Sequence, residues 1–356
     1  MQTSKVFQNW QKHQPVSYVA KDVFTKKFLR FDLGEFLGFK GAIPYPDPSQ
    51  RALKQQLSRL WGVSETMVTL GTGSDELIER IPRVFLNPDD HVLVVTPTFF
   101  RFADASMRMG ALVKKVATNL ESKFAVTDQI VLEIIECANV NDIRIIWLCS
   151  PNNPTGVPIA DKHIARICRE TKALVVLDSV FWGIDEQIKN QVGLVKRFPN
   201  LVILRSLSKI DGGAGLRIGA AFGNPETIAP IESWRLPFNI PTASLTAGRD
   251  LLQAIGENHN AKTIIPKERE RMFEAISAFP SFEIGAPSDT SIFLLRHKTE
   301  DLFTLLRGEY ICVADMRRTT GLEGMRFVRI TIQSQKENNR LLTALTNIQK
   351  NEAEGR

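Results

Sequence analysis

Short apolar runs alternate with amphipathic stretches through the first two thirds of the chain. The runs are four to six residues long and lie at 67–70, 91–95, 143–148, 173–177 and 201–204. Such runs are typical of strands that are buried on both faces, and the helical patterns between them would cover a sheet from both sides. The alternation therefore predicts an α/β fold with a mostly parallel sheet in a large domain.

A helical pattern precedes the first apolar run. It starts at Ser49, places Leu53, Leu57 and Leu60 on one face, and should end at Gly62.

The pattern changes after about residue 245. Helical segments and then strand-like pieces follow, at 245–277, 291–295, 311–313 and 326–332. A final helix should begin near Glu337. This order predicts a smaller α+β domain. We expect residues 41–244 to form the large domain, and residues 1–40, an arm without clear periodicity, to join residues 245–356.

Polar and glycine-rich clusters follow the carboxyl ends of the predicted strands. They lie at 96–102, 150–156, Asp178 and 205–217. Open α/β sheets bind ligands at this edge, so we expect the clusters to meet in one site. Their shared position is a stronger indication than any single motif.

The cluster around Lys209 indicates the chemistry. Ser206 and Ser208 precede the lysine, and a glycine-rich bend leads from it to Arg217. Hydroxyls and a guanidinium can hold phosphate oxygens, and a lysine amine can condense with an aldehyde. Pyridoxal phosphate carries both groups. A lone lysine is usually a solvated surface charge, so this interpretation depends on partners elsewhere in the chain.

The composition argues against several other classes of protein. The 356 residues are 43% apolar and 24% charged, with a net charge of +6 spread along the chain, which does not favour a nucleic-acid partner. Four scattered cysteines indicate neither a metal site nor a disulfide framework and fit a reducing cytoplasm. Neither a signal peptide nor a run long enough to cross a membrane is visible, so we expect a cytoplasmic protein.

Three motifs carry a resemblance to a known family. Ser150-Pro-Asn-Asn-Pro-Thr-Gly156, Asp178, and Ser206-Leu-Ser-Lys209 with Arg217 resemble the signature of fold type I pyridoxal-phosphate enzymes, nearest to the class I/II aminotransferases. Tyr45-Pro-Asp-Pro48 and Gly71-Thr-Gly-Ser-Asp-Glu76 are similar to the histidinol-phosphate aminotransferase branch. The likeness covers residues 40–335, with the motifs in the family's order.

The resemblance gives the residues near the cofactor ring their roles. Lys209 would bond to the cofactor aldehyde and then move the proton at the substrate α-carbon. Asp178 would pair with the pyridine nitrogen, although a helix N-cap is a rival interpretation. Asn153 would donate to the phenolic oxygen and contact the substrate, and Phe102 would lie on the ring face. By the same resemblance, Phe181 would stand near that oxygen.

The resemblance also assigns the phosphate and substrate groups. The cofactor phosphate would be cradled by Ser206, Ser208, Arg217 and the backbone N–H groups of Gly73, Ser74 and Asp75. Tyr45 would reach the phosphate in the other subunit, which implies a homodimer with shared active sites. Arg329 matches the arginine that binds the substrate α-carboxylate.

Three positions depart from the family pattern. Phe181 stands where these aminotransferases usually have a tyrosine, so a hydroxyl that tunes the cofactor is absent. In Ile311-Cys-Val-Ala314, alanine replaces the arginine that binds substrate phosphate, which predicts a non-phosphorylated substrate. Glu35 in the arm would favour a cationic side chain such as that of arginine, although a solvated glutamate is an equal alternative.

The sequence is compatible with three functions. The leading hypothesis is transamination of a free amino acid. The same cofactor could instead serve elimination with cyclisation, as in the formation of cyclic guanidino amino acids from arginine derivatives, or decarboxylation. A cofactor-binding sensor of the kind fused to bacterial repressors is disfavoured, because the residues before Tyr45 are too few to hold an added DNA-binding domain.

Overall fold

A seven-stranded sheet forms the centre of the protein. The computed structural model describes residues 1–12, 43–257 and 260–354. The strands of the large sheet are β1 (Val68–Thr72), β2 (His91–Thr96), β3 (Leu112–Ala117), β4 (Ile145–Cys149), β5 (Leu174–Asp178), β6 (Leu201–Ser206) and β7 (Ile218–Gly223). All five apolar runs of the first two thirds are strands, so the predicted α/β architecture is confirmed.

The strand order is β1-β7-β6-β5-β4-β2-β3. Strands β3, β2, β4, β5 and β6 pair in parallel, and β7 is antiparallel to both β6 and β1. The carboxyl ends of β4, β5 and β6 are therefore neighbours at one edge of the sheet, where α/β proteins bind ligands.

A second, antiparallel sheet of four strands follows in the order β10-β11-β9-β8. Its strands are β8 (Phe282–Ile284), β9 (Ile292–His297), β10 (Ala314–Asp315) and β11 (Val328–Thr331). Met272, Phe293 and Leu345 belong to the apolar core beneath it. The smaller α+β unit is thus confirmed in kind, but the strand predicted at 311–313 is wrong, since only the two residues after it pair with β11.

Helices cover both sheets. Their bounds are α1 (Lys5–Lys12), α2 (Arg51–Trp61), α3 (Ser74–Phe85), α4 (Arg101–Met107), α5 (Asp128–Val140), α6 (Asp161–Glu170), α7 (Ile188–Arg197), α8 (Pro225–Ser233), α9 (Thr242–Glu257), α10 (Asn260–Ser277), α11 (Leu302–Gly308) and α12 (Gln335–Ala353). The last helix begins with a capping box, in which the Ser334 hydroxyl and the Glu337 carboxylate each accept the other's backbone N–H.

In helix α2, the local sequence determines both the buried face and the end of the helix. Leu53, Leu57 and Trp61 recur at intervals of four and are buried, so one stripe faces the sheet. Gly62 ends the helix with φ 62°, a left-handed conformation that glycine adopts readily. Leu60, which we expected to share a face with Leu53 and Leu57, is instead 37% exposed, because the apolar stripe continues through Trp61.

The two faces of the large sheet carry separate apolar cores. On β5, Val175 and Leu177 point into one core, and Leu174 and Val176 point into the other. Burial on both faces explains why the strand sequences are continuous apolar runs. Leu252 of α9 also lies in the first of these cores. The predicted boundary after residue 244 stays a prediction.

Candidate active site

Three neighbouring strand ends bring the predicted site residues together. Asp178 ends β5 and is in register with Cys149 at the end of β4 and with Leu204 of β6. The loop after β4 carries Asn153, and the loop after β6 carries Lys209. The topology therefore places these loops beside Asp178, as the shared position at strand ends predicts.

Asp178 is a buried carboxylate at the floor of the site. It is 2% exposed, and its Oδ1 accepts the backbone N–H of Val180 at 3.0 Å. Burial raises the pKa of Asp178 to about 7, against the lowering effects of the Val180 hydrogen bond and Lys209, while Asp75 adds to the rise. A protonated pyridine nitrogen is a partner that would hold this carboxyl in its charged form.

Lys209 stands at the open side of the site. Its ammonium nitrogen lies 5.5 Å from the centre of the Phe181 ring. Partial burial and the charge of Arg329 lower the pKa of Lys209, with Asp178 and Asp75 opposing them. A lowered pKa increases the fraction of neutral amine, which is the form that attacks an aldehyde.

A hydrogen bond connects the loop after β4 to the small sheet. Nη1 of Arg329, on β11, donates to Oδ1 of Asn153 at 2.6 Å. The Nε of Arg329 is buried with no hydrogen-bond acceptor, and no carboxylate pairs with this guanidinium in the described part of the chain. Burial lowers the pKa of Arg329. A ligand carboxylate would supply the missing acceptors in the bidentate geometry that a guanidinium favours.

Glycines shape a cradle at the N-terminus of α3. Gly73 has φ 74° and its N–H donates to the carbonyl oxygen of Arg217 at 3.0 Å. A Cβ on Gly73 would lie 2.4 Å from Nη2 of Arg217, and one on Gly219 would lie 2.4 Å from the backbone nitrogen of Ser74. The N-terminus of α3 and the Arg217 guanidinium thus lie together where only glycine fits, and this arrangement suits a phosphate group. The Gly73 N–H, which we expected to contact the phosphate, is instead donated to the Arg217 carbonyl oxygen.

The two serines of the lysine loop are placed differently. The Ser206 hydroxyl is buried, donates to the carbonyl oxygen of Ile218 at 3.2 Å and accepts the N–H of Ser208 at 3.1 Å. The Ser208 hydroxyl lies 3.5 Å from Nη1 of Arg217, on the side of the cradle. Their roles toward a phosphate stay predictions.

The prediction that Phe102 covers a cofactor ring is wrong. Phe102 is fully buried, and its ring stacks on Trp147 at 5.0 Å and 6° inside the apolar core. It has no face left for a ligand because it lies on the inward side of α4, together with Ala105 and Ser106. Phe99 lies three residues after the end of β2, is only half-buried, and its ring meets that of Phe102 edge-on.

Phe99 is therefore the aromatic residue that sequence reasoning missed. The available signal was its position, since it is the first aromatic residue after the strand end, whereas Phe102 begins a helical pattern of buried residues. It becomes our candidate for the ring face.

Two further predicted residues lie toward the rim. Tyr45 is 51% exposed, and its ring packs on Phe238 at 4.8 Å. The Asp75 side chain is 52% exposed and lies 3.5 Å from Nε of Arg101. Glu35 lies outside the described residues.

The residues present fit pyridoxal phosphate. The chain offers a buried carboxylate at Asp178, an amine of lowered pKa at Lys209, a glycine cradle beside Arg217, and an unpaired guanidinium at Arg329. These groups match the ring nitrogen, the aldehyde, the phosphate and a substrate carboxylate.

Comparisons with known proteins agree with this fit. Residues 25–345 match the family model described as aminotransferase class I and II. A histidinol-phosphate aminotransferase of Thermoanaerobacter pseudethanolicus is 32% identical over 303 residues, which cover 85% of this chain and 83% of that protein. No helix of the described segments is apolar and long enough to pass through a membrane.

Solved structures share the fold. A histidinol-phosphate aminotransferase from Clostridium acetobutylicum superimposes with a TM-score of 0.77 at 23% identity, covering 86% of this chain and 91% of that one. The enzyme of the same name from Sinorhizobium meliloti, solved in complex with pyridoxal 5'-phosphate, gives a TM-score of 0.72 at 20% identity, covering 86% and 83%.

Proposed function

The chain belongs to the class I and II aminotransferase family and is a pyridoxal-phosphate-dependent enzyme, and we propose that it transfers the amino group of a free, non-phosphorylated amino acid to a keto acid. When bound, the cofactor supplies an electron sink for charge that develops at the substrate α-carbon. The protein supplies binding, orientation and proton transfer.

The observation that carries the proposal is the Arg329–Asn153 contact beside Lys209. Arg329 would bind the α-carboxylate, and its hydrogen bond to Asn153 at 2.6 Å sets the angle of the guanidinium. A carboxylate held there would place the α-carbon near Lys209, whose lowered pKa suits an amine that takes up and returns a proton. Asp178 would hold the ring nitrogen in its protonated form.

Ala314 supports a non-phosphorylated substrate. It pairs with Arg329 in the small sheet. By the family resemblance, this methyl group stands where related enzymes carry a second arginine. Arg317, three residues on, is tied to Asp315 at 2.8 Å and to Asp301 at 2.8 Å. With Ala314 in this place, the α-carboxylate is the anion that Arg329 would bind. The preference for a basic side chain, through Glu35, stays a prediction.

Substitution of Ala314 tests this part of the proposal. The protein should use free amino acids in preference to histidinol phosphate, and Ala314→Arg should raise kcat/KM for histidinol phosphate at least about tenfold by adding a charge-assisted contact. Wild-type preference for histidinol phosphate would contradict the proposal.

One observation favours a second function. Phe181 lies beside Lys209 without the hydroxyl that related aminotransferases have there, so the cofactor would be tuned differently. Elimination with cyclisation, or decarboxylation, therefore remains the alternative. The choice depends on which bond of the α-carbon stands perpendicular to the ring.

We also propose a homodimer with shared active sites. Ile43, Tyr45 and Leu236 are 73%, 51% and 69% exposed, which leaves an apolar rim at the side of the phosphate cradle. Thr242 secures this rim by donating to the carbonyl oxygen of Pro44 at 2.8 Å. Mixing Lys209→Ala with Tyr45→Ala protein should restore part of the activity if each site uses Tyr45 of the other subunit.

One experiment separates the two reactions. The holoenzyme is mixed with candidate amino acids and no keto acid, and products are counted per active site. Transamination predicts one equivalent of keto acid, followed by a stop that added keto acid relieves. Continuous turnover without an acceptor, with release of water or carbon dioxide, would refute it. Lys209→Ala should be inactive, and Lys189→Ala, on the exposed surface of α7, should match the wild type.

A further inference from the structure

The segment 179–186 directly after Asp178 is clamped by side chains from other elements. Nε1 of Trp61, on α2, donates to the carbonyl oxygen of Ile184 at 3.0 Å. From the other side, Oδ2 of Asp211 accepts the N–H of Ile184 at 3.0 Å. Both backbone polar groups of Ile184 are thus held by side chains. The position of the segment is therefore set by those side chains.

Arg205 supplies the largest part of the clamp. It lies on β6, is fully buried, and has no carboxylate within ion-pair distance in the described ranges. Its guanidinium donates to the carbonyl oxygens of Ser179 at 3.2 Å, of Gly183 at 2.6 Å, and of Glu186. Burial lowers the pKa of Arg205 to about 10, and the nearby carboxylates of Asp211, Glu186 and Asp185 oppose that fall, so its charge is supported without a direct ion pair. Its structural task is to bond the three carbonyl oxygens.

A guanidinium has the geometry to bond these three carbonyl oxygens together, and an ammonium does not. The three carbonyl oxygens belong to residues 179, 183 and 186, and the planar fork of Arg205 reaches all of them at once. Its flat face lies 5.3 Å from the ring of Trp61, which is itself stacked on Phe222 at 3.7 Å. The rotamer of Arg205 is thereby fixed by packing.

Asp211 adds the connection to the lysine loop. It lies two residues after Lys209, and Arg205 lies four residues before it. Both flanks of Lys209 are therefore bonded to the segment that follows Asp178. The same segment carries Phe181, whose ring lies beside the lysine ammonium.

We propose that Arg205 and Asp211 are positioning residues that lock the segment 179–186 against the lysine loop and so set the spacing between Lys209 and Asp178. The consequence for the cofactor rests on the proposed function, because the spacing matters when one molecule bridges both groups. The lock itself is a property of the chain alone.

The first test uses the cofactor-free protein. Asp211→Ala removes the acceptor of the Ile184 N–H, whereas Asp211→Asn keeps an oxygen there. Hydrogen–deuterium exchange of peptides covering 182–186 should be about tenfold faster or more in Asp211→Ala and within about threefold of the wild type in Asp211→Asn. The matched control is Asp250→Ala, on the exposed side of α9, which should not change exchange in this segment.

Two results would overturn the lock. One is wild-type exchange of 182–186 in Asp211→Ala. The other is hydrogen–deuterium exchange of 182–186 that is as fast in Asp211→Asn as in Asp211→Ala, because the effect would then come from the lost charge and not from the lost hydrogen bond. Arg205→Lys keeps the charge but loses the fork, and a folded variant should show the same faster exchange.

The second test uses the holoenzyme. The absorbance of the cofactor bound to Lys209 is titrated with pH, and Asp211→Ala should shift the midpoint while Asp211→Asn restores it. An unchanged midpoint in Asp211→Ala would contradict the positioning role even if the exchange result stood. Failure of the wild-type protein to bind the cofactor would overturn the proposed function and leave the exchange test of the lock intact.

Discussion

Replacing Asp178 by asparagine should stabilise the cofactor-free protein at alkaline pH and weaken cofactor binding. The carboxyl is 2% exposed, and its hydrogen bond from the Val180 N–H needs only an acceptor oxygen, which asparagine also has. Asparagine is nearly isosteric and needs no ionisation. In the cofactor-free protein the substitution therefore removes a buried charge at little cost in packing.

The magnitude follows from the pKa of Asp178. It is raised to about 7 by burial in the folded protein, against about 3.9 in an unfolded chain. Between these values the folded state binds more protons, so wild-type stability falls as the pH rises from about 4 to about 7. The gap of about three pKa units is worth about 4 kcal/mol at pH 8 and about 1.5 kcal/mol at pH 5. The Asp178→Asn variant carries no such cost.

Urea unfolding of both cofactor-free proteins at pH 5 and pH 8 measures the difference. All five tryptophans precede residue 235, so their fluorescence reports on the part of the chain that contains Asp178. The free energy of unfolding of Asp178→Asn should exceed that of the wild type, and by more at pH 8. Saturating cofactor should reverse the order. A variant that is less stable at pH 8, or an advantage independent of pH, would refute the reasoning.

Three further predictions follow from contacts in and around the site. Arg329→Lys keeps the charge but loses the fork, so KM for the amino acid should rise about tenfold to a hundredfold while the cofactor absorbance spectrum stays unchanged. Gly219→Ala places a Cβ 2.4 Å from backbone and should cost about 2 kcal/mol or more by thermal unfolding, whereas Gly193→Ala, in a helix with open space, should stabilise by about 0.5–1 kcal/mol. Phe102→Ala should lower the free energy of unfolding by about 3–5 kcal/mol, whereas Phe99→Ala should weaken cofactor binding in an equilibrium titration. If Phe102→Ala weakened cofactor binding and Phe99→Ala did not, Phe102 would be the residue on the ring face.

The strands that sequence reasoning found are those with unbroken apolar runs. Strand β7 was not predicted, because its sequence Ile-Gly-Ala-Ala-Phe-Gly, at 218–223, has little β propensity. Gly219 is required there because the backbone of Ser74 passes too close for a Cβ. Strand β3 was not predicted, because it lies at the edge of the sheet and carries Lys114 and Lys115, as exposed edge strands often do.

The site was predictable where its residues lie close together in sequence. Motifs after each strand place Asn153, Asp178 and Lys209, and parallel pairing then makes them neighbours. The contact between Asn153 and Arg329 spans 176 residues and joins two sheets, so no local pattern contains it, and Arg329 came from family resemblance alone. Arg205 directly follows the apolar run 201–204, and its role was not predictable because it appears only when three distant carbonyl oxygens converge on it.

Reduction of the holoenzyme with borohydride, followed by peptide mass spectrometry, tests the central claim most directly. The account predicts that the purified chain turns yellow with pyridoxal phosphate and that the reduced cofactor is found on Lys209. A chain that stays colourless, or a label on any other lysine, would contradict it.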